Sequence, residues 1–436
     1  MLHGICRKTF QASMPPLRVP PHLLSLRLHP EEVVRRLPTT TGLAWLDTAT
    51  AQQKGDEGWS YIGREPSGII EGHIDSDWAL VAHVLREHTL PSKGASEPFT
   101  GGLVGWVGFD GQFRFGIYPQ VLAFDHRTQR WWGQAEPRLE GATGTVHGAA
   151  PALDFAAQTT RADFIQAVER AQAYIAAGDI YQVNLAYPWQ ASWPAAGSAL
   201  GYYQRLRGVS PAPYAAFLDL GDTRVLSSSP ECYLRMTGQA IRTRPIKGTR
   251  PRFPGDAARD AQSRAALVAS AKEQAELLMI TDLERNDLGQ VCDFGSVQVP
   301  ELARVEAFAQ VFHLISTVTG HLRAEVDHAA AFRACFPGGS ISGAPKKRAL
   351  EIITELEPHP RGLYTGAVGY FGFNGESQFS IAIRTAVQQA QSIHFHVGAG
   401  IVADSVPALE YEETLHKAAG LLGAARPSGW PSAGEK

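Results

Sequence analysis

The chain lacks most features that reveal a function at first sight. Its 436 residues include four cysteines, Cys6, Cys232, Cys292 and Cys335, all widely separated. No Cys-x-x-Cys pair occurs, which excludes a zinc ribbon or dithiol motif and makes reduced, cytoplasmic thiols the expectation. No apolar run approaches a membrane span. Residues 1–10 carry Arg7 and Lys8 without a following apolar stretch, so no secretory signal is expected there. Neither charge sign is in excess: 40 Lys and Arg face 43 Asp and Glu, a net charge of -3. That balance offers no bulk attraction to nucleic acid or to a membrane surface.

What is present is an ordinary globular composition, 44% apolar and 19% charged, in a length suited to one large or two ordinary domains. Residues 1–22 read as an irregular, Pro-rich lead-in. Residues 23–150 form an amino-terminal lobe of short β-like runs, among them 42–47 and the glycine-interrupted 99–110. Residues 133–158 read as a linker or a loose edge hairpin. A more regular core spans 160–425, and 426–436 is a tail. The spacing of Phe164, Val168, Ala171 and Ile175 predicts a helix over 161–177 closed by Gly178. Strands are expected at 179–186, 214–219, 225–229, 364–373, 379–387 and 393–402. Helices are expected at 256–278, ending within 281–289, and at 347–355 and 408–422.

Lys247 stands between Pro245 and Gly248, with Arg242, Arg244, Arg250 and Arg252 close by in sequence. Such a basic segment is either a solvated loop or a site where crowded cations free a lysine amine for nucleophilic attack. Gly248 lets a ligand or another chain approach the backbone. Glu231 is placed at a turn by Ser229-Pro230. Glu273 and Glu276 share one helix face at i,i+3, as do Glu410 and Glu413 on a second helix. These are two solvated faces or, if the helices meet, an oxygen-only site that suits magnesium better than zinc. Arg285 and Asp287 read as a structural pair or as catalytic groups. The loop 337–346 resembles a phosphate loop, but Ala344-Pro345 stand where Lys and Ser or Thr are required, which excludes that reading. A carboxylate at the following helix start remains compatible with the pattern. Arg384, in an apolar strand pattern, is either edge-exposed or paired with an anion. Gly398, Ala399 and Gly400 offer bare backbone N–H groups.

Eight motifs then occur in order: Pro245 to Arg252, Lys272-Glu273-x-x-Glu276, Asp282 to Gly289, Phe336 to Lys346, Tyr364-x-Gly366-Ala367-Val368-Gly369-Tyr370, Ile383-Arg384-Thr385, Gly398 to Ser405, and Glu410-Tyr411-Glu412-Glu413-Thr414. Together they resemble the chorismate-utilising enzymes: anthranilate, aminodeoxychorismate, isochorismate and salicylate synthases. The likeness is dense over about 160–420 and fainter at 99–110. It implies an α/β (α+β) fold, a single two-sheet antiparallel sandwich flanked by helices.

The resemblance further implies that Glu276 and Glu413 hold Mg2+, with Glu273 and Glu410 supporting its water shell. Arg384, Tyr364 and the backbone of Gly398, Ala399 and Gly400 would bind the enolpyruvyl carboxylate. Thr249, Gly248, Ser340 and His313 would contact the substrate elsewhere, and Glu231 would act as acid and base at the C4 hydroxyl. Lys247 matches the aminodeoxychorismate synthase component I branch, where anthranilate synthases carry a small residue. The lysine there attacks C2 of chorismate and ammonia displaces it. Neutral amine at working pH would follow from burial and from Arg244, Arg250 and Arg252. Gln182 stands where the water-using branches carry a lysine base. Leu277 and Ala186 depart from the family's usual histidine and serine.

No glutaminase motif is visible, since Cys232 and Cys335 lack the glycine frame of a nucleophile elbow. Ammonia is therefore expected from a separate glutamine amidotransferase subunit. The alternatives are anthranilate synthase component I and a non-catalytic ligand-binding homologue. The retained Lys247, Glu231 and four glutamates speak against the latter. The family's amino-terminal half also binds tryptophan in some members, and no residues here are assigned to that role.

Overall fold

Several strands are built of residues covered on both faces. Tyr214–Asp219, buried at every position, is one example. The computed structural model describes residues 20–49, 58–89, 98–141, 148–308 and 311–426, so most of the lead-in and tail lies outside the described residues. Every described strand pair is antiparallel, and the strands form one sheet of twelve and one of ten. Both halves of the chain feed both sheets: Ala44–Asp47 pairs with Tyr214–Asp219, and Gly102–Val107 pairs with Ala367–Gly372. An apolar layer including Val104, Tyr118, Leu218, Val368 and Tyr370 lies between the sheets.

Helices cover the outer faces. Arg161–Ala176, Ala199–Val209, Lys346–Leu356 and Pro407–Ala424 contribute to the core on the larger sheet. Trp78–His88 and His328–Cys335 do so on the smaller. The expected α+β sandwich is thus the observed one. No helix among the described residues is long and apolar enough to cross a membrane.

Four expectations change. Residues 246–251 are not a solvated loop but a strand, Ile246–Pro251, on Val311–His321. The helix expected over 256–278 is two, Ala257–Val268 and Ala271–Gly289, because the Ser270 hydroxyl caps the Glu273 N–H and restarts the helix. Residues 379–387 span two strands, Glu376–Ile381 in the smaller sheet and Thr385–Gln389 in the larger, with Arg384 at the crossing. Arg285 and Asp287 do not pair: Arg285 meets Asp282 at 2.8 Å, and Asp287 meets Lys346 at 2.5 Å.

Candidate active site

Lys247 owes its direction to a β-bulge. Lys247 faces Leu314 and Thr249 faces His313 on the partner strand, leaving Gly248 unpaired at φ +70. A side chain at 248 would run into Glu273 Oε2 and Leu267, so glycine also lets Glu273 approach. The Lys247 amine reaches the Gly398–Gly400 strand, 3.4 Å from where a Cβ on Gly400 would sit. It makes no hydrogen bond or ion pair among the described residues. The arginines expected to crowd it point elsewhere. Arg244 pairs with Glu306, Arg250 with Glu273 at 2.6 Å, and Arg252 with Asp260 at 2.9 Å. The charges that feel the amine are instead Glu231, Glu276, Glu413 and Lys417.

Glu231 is buried just before the strand Cys232–Thr237. Burial pushes its carboxyl up. The Ser340 hydroxyl, Lys247, the Ile246 N–H and Arg384 oppose that by favouring the charged form. A carboxyl so balanced suits a group that must give and take a proton.

The two glutamate-bearing helices do face each other, since Lys272 lies 3.9 Å from Glu276 and 3.6 Å from Glu410. Burial pushes Glu276 up, with Lys247 and Lys272 opposing and Glu273 and Glu413 adding repulsion. Partial burial acts upward on Glu413, whose side chain stays 52% exposed, but Lys417, Lys247 and Lys272 hold it below its ordinary value. Lys417, which the sequence reading missed, donates to Glu413 at 2.6 Å and to the Gly398 carbonyl at 2.9 Å. Its signal was the i,i+4 spacing from Glu413.

The expected four-carboxylate convergence is only partial. No three His, Cys, Asp or Glu side chains among the described residues gather tightly enough to hold a metal ion alone. Glu273 is engaged by Arg250, and Glu410 lies beside Lys272. Magnesium needs no such cage, because one or two carboxylates with water and substrate oxygens commonly hold it. Glu276 and Glu413, hard donors that repel each other, fit that smaller set.

Arg384 is left-handed at φ +52 where the chain crosses between sheets. It is not edge-exposed: its guanidinium makes no ion pair among the described residues, and burial pulls it down. Tyr364, Glu413 and Glu231 lie in its field. An unpaired, desolvated guanidinium is an anion site. Tyr364 is held from behind by Arg361, whose guanidinium lies over its ring and forks onto Glu357 at 2.6 and 2.8 Å. Arg361 also donates to the Asn184 carbonyl at 2.6 Å, and Glu357 accepts the Ala186 N–H at 2.8 Å.

Gly398 and Gly400 face the site, where a Cβ would press on the Tyr364 hydroxyl or on Gln182. Ala399 alternates away, and its side chain belongs to the core. Gln182 Oε1 is buried without a protein partner. His313 lies beside Thr249 and Gly248. Its Nδ1 is 3.1 Å from the Gly248 carbonyl, which only accepts, so Nδ1 carries the proton and Nε2 is the free acceptor. Burial holds this histidine down at about 4, hence neutral.

The site therefore joins a free amine, a buried acid, an unpaired guanidinium and a pair of repelling carboxylates. The family model of chorismate-binding enzymes matches residues 52–423. The chain belongs to this family. Anthranilate synthase component 1 of Streptomyces coelicolor is 38% identical over 420 residues, covering 84% of this chain and 81% of that protein. Aminodeoxychorismate synthase component 1 of Klebsiella aerogenes is 40% identical over 351 residues, covering 73% and 76%. Among solved structures, anthranilate synthase component I from Streptococcus pneumoniae superposes with a TM-score of 0.73 at 29% identity, covering 85% of this chain and 93% of that one. The menaquinone-specific isochorismate synthase of Escherichia coli reaches 0.76 over 94% of both chains at 19% identity, a likeness of fold alone.

Proposed function

We propose that this protein is the component I of an aminodeoxychorismate synthase, turning chorismate and ammonia into 4-amino-4-deoxychorismate on the way to p-aminobenzoate and folate. The observation that carries the reading is Lys247: a free amine aimed at the Gly400 strand and facing Glu231.

The amine attacks C2 of chorismate, the ring double bonds shift, and the C4 hydroxyl leaves as water with a proton from Glu231. Hydroxide is a poor leaving group, so this acid is required. Ammonia then adds at C4, the electrons return, and the C2–N bond to Lys247 breaks. Glu231, now a carboxylate, takes the proton that ammonia sheds. The arginines near Lys247 are engaged elsewhere, so the neutral amine arises by passing its proton to Glu231, whose burial favours the protonated form. One transfer then makes both the nucleophile and the acid.

Arg384 and Tyr364 bind the enolpyruvyl carboxylate in this scheme, while Ser340, Thr249 and His313 hold the ring. Glu276 and Glu413 would hold magnesium, which supplies positive charge to the ring carboxylate. Ammonia comes from a separate glutamine amidotransferase subunit.

The second reading is anthranilate synthase component I, favoured by the greater chain coverage of the relative bearing that name. Product identification separates the two. With chorismate, magnesium and ammonium, 4-amino-4-deoxychorismate is expected, and anthranilate would overturn the proposal. Rapid quench without ammonia should leave a chorismate-derived mass on Lys247. Lys247→Arg keeps the charge but not the nucleophile, and should lose both adduct and product.

A further inference from the structure

Glu284, Asp287 and Lys346 form a buried cluster near Glu231 that the chemistry above does not use. Lys346 donates to Asp287 at 2.5 Å and to the Cys335 carbonyl at 3.4 Å. That leaves Glu284, 3% exposed, with the Gly339 N–H at 2.9 Å and no ion pair among the described residues. The next residue, Ser340, is buried, and its hydroxyl favours the charged form of Glu231. The short turn Gly339–Ile341 thus joins two buried carboxyls. Its fit is close, since a Cβ on Gly339 would meet Leu283 at 2.7 Å and Glu284 Oε1 at 3.1 Å. The titratable groups facing Glu284 are Asp287 on its own helix, Lys346 on the helix Lys346–Leu356, and Cys335 at the end of His328–Cys335. Glu231 and Tyr233 face it from the start of the strand Cys232–Thr237.

We propose that Glu284 is a positioning residue for Glu231: it holds the Gly339–Ser340 turn against the acid, and when charged it drives the Lys247 proton onto Glu231. This rests on the reading of Lys247 as nucleophile and Glu231 as acid. Burial, with repulsion from Asp287 and Glu231 outweighing Lys346, pushes Glu284 up to about 7. Its charge therefore changes in the neutral range. A second negative charge disfavours the Glu231 carboxylate, so Glu231 takes a proton more readily. One N–H bond breaks on the Lys247 ammonium and one O–H bond forms on Glu231, leaving a neutral amine and a protonated acid.

The test is the rate of adduct formation on Lys247, by rapid quench and intact mass, across the range from about pH 6 to about pH 8. Omitting ammonia removes that nucleophile's own titration from the profile. The unmodified enzyme should speed up several-fold as pH rises through about 7. Glu284→Gln keeps an acceptor for the Gly339 N–H but cannot ionise, and should show no such rise. Glu284→Leu also loses the acceptor and should be slower throughout. Adduct formation with the same pH profile in Glu284→Gln and the unmodified enzyme would overturn this inference alone. No adduct on the unmodified enzyme at any pH would overturn the parent reading, and this one with it. If Glu284→Gln does not fold, infrared titration of Glu231→Gln decides. The protonated-carboxyl band of Glu284 should then titrate at lower pH than in the unmodified enzyme, and an unmoved band refutes the coupling.

Discussion

Burial of Glu284 ties stability to pH. Its carboxyl binds a proton more tightly folded, at about 7, than at the ordinary glutamate value of 4.5. The stability this contributes is fully present below the ordinary value and is lost as pH rises through the folded one. Linkage puts the loss at about 2 kcal/mol between about pH 5 and about pH 7. Denaturant unfolding at those two pH values should show this decline in the unmodified enzyme and not in Glu284→Gln. An equal decline in both would refute it. Lys247 was legible as a candidate because a motif marks it, and Glu231 only through the family resemblance. Glu284 was not, because its proton affinity comes first from burial, which only the packed structure sets. The arginines near Lys247 were misread for the same reason: sequence proximity does not show which carboxylate each guanidinium meets.

Among the elements, the two glutamate-bearing helices matter most. The i,i+3 spacing was readable along each helix, whereas their facing was not. Lys272, poised between Glu276 and Glu410, shows that they meet. Proposed magnesium binding by Glu276 and Glu413 gives a prediction here. Glu276→Ala or Glu413→Ala should cut turnover at least roughly 100-fold. Thermal stability should hold, because removing Glu276 also relieves its repulsion from Glu273 and Glu413. Excess chelator should stop the unmodified enzyme and added magnesium restore it; full activity in chelator would exclude the role. The strand pattern at 379–387 hid a crossing between sheets. Period-two alternation continues through such a crossing, while the left-handed Arg384 that makes it carries no sequence mark.

At the scale of the whole molecule, strands from both halves interleave in both sheets, so the amino-terminal lobe is part of the same body as the catalytic core. The proposed chemistry needs ammonia, and no glutaminase motif is visible in the sequence. Ammonium should therefore support turnover by the purified chain, whereas glutamine should do so only after a glutamine amidotransferase subunit is added. Steady-state assays with each nitrogen source check this, and glutamine use by the single chain would refute it.

The sequence by itself determined the family, the antiparallel sandwich and most of the groups at the site. Those follow from local patterns and ordered motifs, which survive in one dimension. The tertiary structure decided which charges meet. It paired three arginines away from Lys247, turned Ala399 into the core and left Arg384 unpaired. The physical reason is that burial and Coulomb interaction depend on distance in space, and the groups concerned come from strands and helices far apart in the chain.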